Sequence, residues 1–212
     1  GAGKFYDYMD AFGVGHLTGV DLAWEAPGRL KIPGDADWYP VDLGTNAFGQ
    51  GVAVTPIQMM SAVSAVANHG RMVIPHVLYA MVRDGRQHEV PDQFGATPIS
   101  EQTAATLNEM LAISLEQESS LALVPGYRVA GKTGTAQIPV DGFYDGSQTN
   151  TSFIGWGPVD DPQFMIYVWL ERPTTSPWAS EIAAPVFSEM AQRTVILLDI
   201  PPDSIRQQLA LR

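Results

Sequence analysis

The segment Val129 to Gln137, with the sequence VAGKTGTAQ, holds the residue types best suited to chemistry in this chain. If it forms a β-strand, Thr133 and Thr135 lie on one face, and Lys132 and Gly134 lie on the other. Two hydroxyls beside main-chain N–H groups make a good carboxylate site, and a neighbouring ammonium strengthens it. Gly134 removes a side chain where another backbone or a ligand must come close. The same residues also suit an ordinary exposed edge strand, so the segment alone leaves both interpretations open.

The elements around this segment predict an α+β fold, with helices packed on a mainly antiparallel sheet. We predict strands over residues 127–137, 152–157 and 163–171, and a tight turn at 160–162 between the last two. Weaker strand patterns occur over 73–82 and 87–90, on either side of an Asp84-Gly85 turn. We predict helices over residues 3–12, 55–68 and 184–198, another that starts after Ser100, and a short helix after 202.

The helix over 55–68 has the clearest boundaries. Thr55 and Gln58 form a capping box around Pro56, and Gly70 supplies a left-handed stop. The helix is apolar nearly all round, so we expect it to be buried.

Before this helix, residues 13–51 read as a long loop. We expect four aromatic residues to pin it to the body of the protein: Trp24, Trp38, Tyr39 and Phe48. On the helix over 3–12, Phe5, Tyr8, Met9 and Phe12 share one side.

Composition excludes several classes of function. The chain carries 12 basic and 23 acidic residues, a net charge of −11, and no Lys/Arg-rich run, which argues against nucleic-acid binding. It has no cysteine, which excludes a disulfide scaffold, a thiolate metal site and a cysteine nucleophile. The longest apolar run, residues 164–170, fits a buried strand and is too short for a membrane span.

Other residues that could bind or react have ordinary structural interpretations. The 4 histidines show no metal-binding spacing, so we predict neither a metal site nor a cofactor. The acidic residues Asp35, Asp37 and Asp42 fit a surface loop, and Asp160-Asp161 fits a solvated turn. We expect Trp156 and Trp169 to pack in the sheet, and Trp178 to be exposed near the site.

Lys132-Thr133-Gly134 matches the K-T-G motif of penicillin-recognising serine enzymes. Five more blocks resemble class B penicillin-binding proteins and occur in that family's order. They are residues 12–22 (FGVGHLTGVDL), 48–58 (FGQGVAVTPIQ), 67–70 (ANHG) with Pro75, 152–158 (SFIGWGP) and 184–187 (APVF). The sequence therefore resembles the transpeptidase domain of that family, which implies a β-lactamase/transpeptidase-like fold.

The resemblance implies a serine-type D,D-transpeptidase that cross-links peptidoglycan. In such an enzyme a serine attacks the D-Ala-D-Ala bond of a stem peptide, and the acyl-enzyme passes to an amine of a neighbouring stem. β-Lactams mimic the D-Ala-D-Ala end and leave a long-lived acyl-enzyme. The implied partners are the stem peptide and, for the complete domain, β-lactams. No cofactor is implied.

The same resemblance assigns roles to the motif. Lys132 would orient a serine of the second motif and add positive potential, and Thr133 and Thr135 would hydrogen-bond to the substrate carboxylate. The N–H of Thr135 would be one oxyanion-hole donor. The expected catalytic residues are thus Lys132 and Thr135, and the expected substrate-binding residues are Thr133, Gly134 and Gln137.

Two motifs of the family are absent from this sequence. Lys4, Lys31 and Lys132 each lack a serine three residues earlier, so S-x-x-K does not occur, and no serine is followed two residues later by asparagine. Both motifs lie upstream in the family. We therefore expect residues 1–212 to be the C-terminal part of a transpeptidase domain, incomplete on its N-terminal side and inactive by itself.

On this interpretation the parent acts at the extracytoplasmic face of the bacterial cell membrane, through an N-terminal anchor outside this chain. The apolar surface left by the missing part would be covered by that part or by self-association. Two alternatives remain open. One is a penicillin sensor or serine β-lactamase relative, which shares K-T-G, and the other is a stand-alone domain that binds stem peptides without catalysis.

Overall fold

The computed structural model describes residues 1–118, 120–140 and 143–210. The chain forms two compact units, residues 1–104 and 105–212. The helices are α1 Ala2–Ala11, α2 Pro40–Ala47, α3 Pro56–Ala67, α4 Glu101–Gln117, α5 Ala179–Ile182, α6 Ala184–Leu197 and α7 Asp203–Ala210. The strands are β1 Arg29–Leu30, β2 Val52–Ala53, β3 Val73–Ile74, β4 Ala80–Arg83, β5 Arg86–Glu89, β6 Gln93–Phe94, β7 Ala130–Val140, β8 Phe143–Gly157 and β9 Phe164–Glu171. All strand pairs are antiparallel, so the predicted α+β class is confirmed.

The second unit is built on a sheet with the strand order β7-β8-β9. The three strands predicted from the sequence are present, but β8 begins at Phe143, nine residues before the predicted start. The added part has a polar sequence without the apolar run that marks a buried strand. It is nevertheless a strand, because its backbone pairs with β7.

The core of this unit lies on the sheet face that α6 covers. The rings of Phe153 and Phe187 are both fully buried, with centroids 4.8 Å apart. Gly131 and Gly155 are partners across β7 and β8. A Cβ on either glycine would come within 2.7 Å of a ring carbon of Phe153 or Phe187. These glycines therefore let the rings lie directly on the backbone of the sheet.

In the first unit, α3 confirms its predicted boundaries. Thr55 Oγ1 accepts a hydrogen bond from the N–H of Gln58, and Gln58 Oε1 accepts one from the N–H of Thr55. The turn after the helix is left-handed at both His69 (φ 53°) and Gly70 (φ 89°). The capping box and the stop were thus readable from the sequence.

The expected burial of the apolar side chains of α3 is confirmed for Ala65 and wrong for the others, which are partly exposed. The buried residues of this helix are Gln58, Ser61, Ser64 and Ala65. Gln58 Nε2 donates to two loop carbonyls, those of His16 and Pro27. The hydroxyls of Ser61 and Ser64 bond to the C=O and N–H of Val73, each at 2.8 Å. The polar positions are buried because they satisfy backbone groups of a loop and of β3 that would otherwise lack partners.

The segment from residue 13 to 51 is also corrected by the structure. It contains α2, which begins at Pro40 and is capped where the N–H of Tyr39 donates to Asp42 Oδ2 at 2.7 Å. Of the four aromatic residues expected to pin the segment, only Trp38 does so, through a 2.8 Å bond from its Nε1 to the hydroxyl of Tyr6. Trp24 is 99% exposed, and Tyr39 and Phe48 are exposed too.

Two predicted helix faces also differ. On α1 the buried residue is Tyr6, and Tyr8 of the expected stripe is half exposed. On α4 the expected cap is confirmed, because Ser100 Oγ accepts from the N–H of Thr103 at 3.1 Å. The sequence predicts an apolar stripe on this helix at Leu107, Met110, Leu111 and Leu115; Leu115 is buried, whereas Met110 is exposed. Within the part of the chain that the structure describes, no helix has both the length and the apolar character needed to cross a bilayer.

Candidate functional site

The K-T-G segment lies on β7, at one edge of the described sheet. The register pairs Thr133 with Phe153 and Thr135 with Thr151. Phe153 and Thr151 are fully buried, on the face that α6 covers. Lys132 pairs with Ile154 and Gly134 with Ser152 on the opposite face. The alternation of faces predicted from the sequence is therefore confirmed.

Lys132 is exposed, and its ammonium turns toward the neighbouring threonine. Nζ donates to Thr133 Oγ1 at 3.2 Å and lies 3.4 Å from the carbonyl oxygen of the same residue. Because the ammonium occupies a lone pair of the hydroxyl, the O–H of Thr133 remains available to donate to an anion. The pair is thus a positively charged donor site.

The charge of Lys132 is not neutralised by a carboxylate among the described residues. Three arginines of this unit are paired: Arg128 with Glu109 and Glu116, Arg193 with Glu189, and Arg206 with Asp160 and Asp203. In a chain with a net charge of −11, an unpaired ammonium on an exposed strand edge is a local attraction for an anion.

The regular pairing of β7 ends immediately after Gln137. Up to that residue each position pairs in step with β8, the last being Gln137 with Thr149. The next pair joins Ile138 to Asp145, so a bulge interrupts the ladder there. The exposed side chains of Thr135 and Gln137 therefore lie at the end of one straight stretch.

Gly134 is required by a side chain on the neighbouring strand. A Cβ at this position would lie 2.7 Å from Ser152 Oγ, its direct partner on β8. We expected a backbone or a ligand to make this close approach, and the structure assigns it to a hydroxyl of the chain itself. Ser152 was missed because the strand alternation was not extended to β8.

The start of β7 is held by charged groups. The Arg128 guanidinium donates two bonds to Glu109, at 2.7 and 2.8 Å, and one to Glu116 at 2.7 Å. These bonds raise the pKa of Arg128 above its ordinary value, and the bond from Arg128 lowers the pKa of Glu109. The N–H of Arg128 also donates to Asp203 Oδ2 at 2.6 Å. Helices α4 and α7 thus fix the strand two residues before it begins.

The tryptophans occupy three different environments. Trp156 is buried and donates from Nε1 to Asn108 Oδ1 at 2.8 Å, as expected of a core residue. Trp169 was expected to pack in the sheet, but it is 45% exposed. Trp178 is 59% exposed and follows Pro177, whose carbonyl accepts a bond from Thr151 at 3.1 Å. Since Thr151 pairs with Thr135, Trp178 is held near the motif, as the sequence suggested.

The remaining acidic candidates have partners within the first unit. Asp35 accepts from the N–H of Ile32, Asp37 pairs with Arg29, and Asp42 caps α2. Over residues 1–118, 120–140 and 143–210 no group of three or more potential metal ligands comes together.

The chain is similar to known proteins over most of its length. The family model of the penicillin-binding protein transpeptidase domain matches residues 1–192. Stage V sporulation protein D of Bacillus subtilis is 37% identical over 207 residues, which cover 95% of this chain and 32% of that protein. The peptidoglycan D,D-transpeptidase FtsI of Buchnera aphidicola is 28% identical over 95% of this chain and 34% of its own length. The chain therefore spans about a third of the length of these relatives.

Solved structures show the same fold. Penicillin-binding protein 3 of Mycobacterium tuberculosis, in complex with ampicillin, superposes with a TM-score of 0.81 at 32% identity, over 95% of this chain and 47% of that one. The apo transpeptidase domain of Burkholderia pseudomallei penicillin-binding protein 3 gives a TM-score of 0.78 at 28% identity, over 95% and 59% of the two chains. The expected transpeptidase-like fold is confirmed. On the family match, the sequence identity and the superposition together, the chain belongs to the penicillin-binding protein transpeptidase family.

Proposed function

We propose that this chain is the K-T-G-bearing, C-terminal part of a peptidoglycan D,D-transpeptidase, and that β7 binds the terminal carboxylate of a D-Ala-D-Ala stem peptide. The observation that carries the proposal is the unneutralised Lys132 ammonium, which donates to the hydroxyl of Thr133 on an exposed strand edge. Membership of the family supports it, as do relatives named as D,D-transpeptidases.

The carboxylate is bound by three donors in this proposal. Thr133 donates its free O–H, Thr135 donates a second hydroxyl from the same face of the strand, and Lys132 supplies charge. Hydrogen bonds to a charged group contribute about 1.5–3 kcal/mol each, more than neutral ones. Gln137, at the last regular pair of β7, borders the same site.

The chemical step is acyl transfer. A serine hydroxyl adds to the carbonyl carbon of the penultimate D-Ala, the C–N bond breaks, and the terminal D-Ala leaves as the amine, with the serine proton on its nitrogen. An amine of a second stem then attacks the acyl-serine ester, forms the new amide and returns the proton to the serine. An edge strand leaves alternate N–H groups without a partner strand. The N–H of Thr135 is our candidate for one donor to the oxyanion.

The serine belongs to a part of the protein outside residues 1–212 in this proposal, since no serine here stands in an S-x-x-K context. This chain is then a partial transpeptidase domain that is inactive alone. It is completed by the N-terminal part of its own chain, or its exposed apolar surface is covered by a second copy. The complete protein acts outside the cytoplasm at the bacterial membrane. It binds β-lactams, as does the relative crystallised with ampicillin.

The test is the acylation rate of the full-length gene product by a fluorescent penicillin, compared with variants of β7. We expect Lys132→Ala to lower the second-order rate constant about 100-fold or more, as for loss of a preorganised donor. Thr133→Val should lower it about tenfold, because one charge-assisted bond is lost. Lys4→Ala is the matched control, because Lys4 is also an exposed lysine and lies on α1.

Equal rates for Lys132→Ala and Lys4→Ala would contradict the proposed role of β7. The polypeptide of residues 1–212 alone should give no covalent band, and a band would show that it contains its own nucleophile. A fast release of hydrolysed penicillin by the full-length protein would instead favour the β-lactamase alternative. Failure of the full-length protein to acylate or cross-link, with retained peptide binding, would favour the stand-alone binding domain.

A further inference from the structure

Two buried threonines on the strand next to the motif are linked through their hydroxyls, and we call them the threonine pair. Thr149 and Thr151 lie on β8, 5% and 0% exposed, and their hydroxyls are 3.1 Å apart. Thr151 Oγ1 also donates to the carbonyl oxygen of Pro177 at 3.1 Å. Each threonine lies opposite a residue of the proposed site, Thr149 opposite Gln137 and Thr151 opposite Thr135.

Counting the available hydrogens shows which hydroxyl of the threonine pair donates and which accepts. A carbonyl oxygen only accepts, so the single O–H of Thr151 is used by Pro177. The contact between the two threonines therefore has Thr149 as donor and Thr151 as acceptor. Removing the Thr151 hydroxyl would break both bonds at once and leave the buried O–H of Thr149 without its acceptor, which is a costly state.

The threonine pair bonds to Pro177, in a segment that is attached to β8 at more than one point. The N–H of Arg172, just after β9, donates to the carbonyl of Thr149 at 2.9 Å. Farther along, Ser176 Oγ donates to Glu181 at 2.6 Å and accepts from the N–H of Trp178 at 3.2 Å. The link from Pro177 to Thr151 thus fixes the middle of residues 172–182 against the strand that backs Thr135.

We propose that Thr151 is a positioning residue for the carboxylate site, which acts through its hydroxyl by fixing the Pro177–Trp178 segment at the register of Thr135. It contacts no substrate itself. The functional part of this inference rests on the proposed function, whereas the positioning of Trp178 does not depend on it.

The experiment compares Thr151→Val, which keeps the shape and removes the hydroxyl, with Thr151→Ser, which keeps the hydroxyl. In the full-length protein we expect Thr151→Val to weaken the initial binding of a penicillin about 3- to 10-fold, corresponding to the loss of a neutral hydrogen bond. The limiting acylation rate should stay within about twofold of the wild-type rate, because Lys132 and Thr133 form no hydrogen bond to the threonine pair. Thr151→Ser should restore binding.

A second readout follows Trp178 directly. Its fluorescence, obtained as the difference between each protein and its Trp178→Phe version, should become more accessible to iodide in Thr151→Val and remain normal in Thr151→Ser. Thr194→Val is the matched control, because its hydroxyl also donates to a carbonyl, that of Met190 on α6, at 2.9 Å. A merely structural loss would lower the melting temperature of Thr151→Val without changing Trp178, and Thr194→Val should change neither binding nor quenching.

The possible outcomes separate the two proposals. If the wild-type protein is not acylated, the proposed function fails, and the iodide measurement alone decides whether Thr151 positions Trp178. If the wild type is acylated and Thr151→Val matches it in binding and quenching, the positioning role is overturned. The role is also overturned if Thr151→Ser behaves like Thr151→Val, or if Thr194→Val changes binding and quenching equally.

Discussion

Two antiparallel strand pairs of this chain expose similar side chains but differ in what supports them. Along β7 and β8, Thr133 and Thr135 of the motif have Phe153 and Thr151 as cross-strand partners, and both partners are fully buried. The hairpin of β4 and β5 has no buried residue, and Val82 is 76% exposed. Since a two-stranded hairpin is only marginally stable in water, the second pair cannot hold side chains in a fixed geometry. The difference teaches that buried cross-strand partners, more than exposure, suit β7 to the binding role proposed for it.

The largest effect on stability is expected from the buried partner of the motif, Phe153, and it would sharpen this comparison. Phe153→Ala should lower the free energy of unfolding by about 3–5 kcal/mol, because it leaves a cavity beside Phe187. Val82→Ala on the hairpin should change it by no more than about 0.5 kcal/mol. Denaturant unfolding of both variants measures the difference, and similar losses would remove the distinction between the two pairs.

A smaller effect on stability is expected at two glycines, Gly134 in β7 and Gly85 in the turn between β4 and β5, which are needed for different reasons. Gly134→Ala should cost about 1–3 kcal/mol of unfolding free energy, because the new Cβ would collide with Ser152 Oγ. The variant Ser152→Ala should rescue most of that loss in a double mutant. Gly85 in the hairpin turn has open space around it and a φ of 72°.

Gly85→Ala should cost about 1–2 kcal/mol through backbone strain alone. No neighbouring substitution should rescue it, because nothing lies within 4 Å of the added Cβ. Unfolding curves for the single and double variants test both statements. If Ser152→Ala fails to rescue Gly134→Ala, the collision is not the reason for the glycine.

The smallest effects concern pH, and the two pairs should respond at opposite ends of the scale. The bond from Arg128 lowers the pKa of Glu109 in the folded state, so this contribution is present above the unfolded pKa of about 4.3 and is lost as pH falls through the folded value. On the hairpin, the bond to Glu89 raises the pKa of Tyr79. That contribution is present below about pH 10 and is lost as pH rises through the folded value.

Melting temperatures across pH would measure both contributions. Glu109→Gln should flatten the acid side of the profile and leave the alkaline side unchanged, and Glu89→Gln should do the reverse. The Arg128–Glu109 and Tyr79–Glu89 bonds are both exposed, so high salt should weaken their effects on stability. An unchanged acid slope in Glu109→Gln would mean that Arg128 does not support β7 through this carboxylate.

The parts of the fold that were predictable are those with a strong local signal. The capping box of Thr55 and Gln58 and the alternation along β7 depend on neighbouring residues, so the sequence alone was sufficient. The buried polar stripe of α3 was not predictable, because Gln58 and Ser61 bond to backbone groups outside the helix, those of Pro27 and of Val73 in β3. Local hydrophobicity carries no information about such partners.

The candidate site was predicted in its exposed half only. By type and spacing the residues of β7 were a candidate carboxylate site, with an ordinary edge strand as the alternative, and the family resemblance favoured the site. Thr151 was missed because it lies in the polar first part of β8, which lacks a strand pattern, and Ser152 was missed although it begins the predicted strand 152–157. Their importance depends on cross-strand register, and register is a property of two strands together.

The bulge after Gln137 has a consequence for ligand length. Residues 130–137 form the part of β7 that pairs in step with β8. At about 3.3 Å per residue this straight edge measures roughly 26 Å from end to end. An extended peptide bound along it would lose the regular spacing of backbone partners beyond Gln137, so residues farther from the bound end would have to leave the edge and enter solvent.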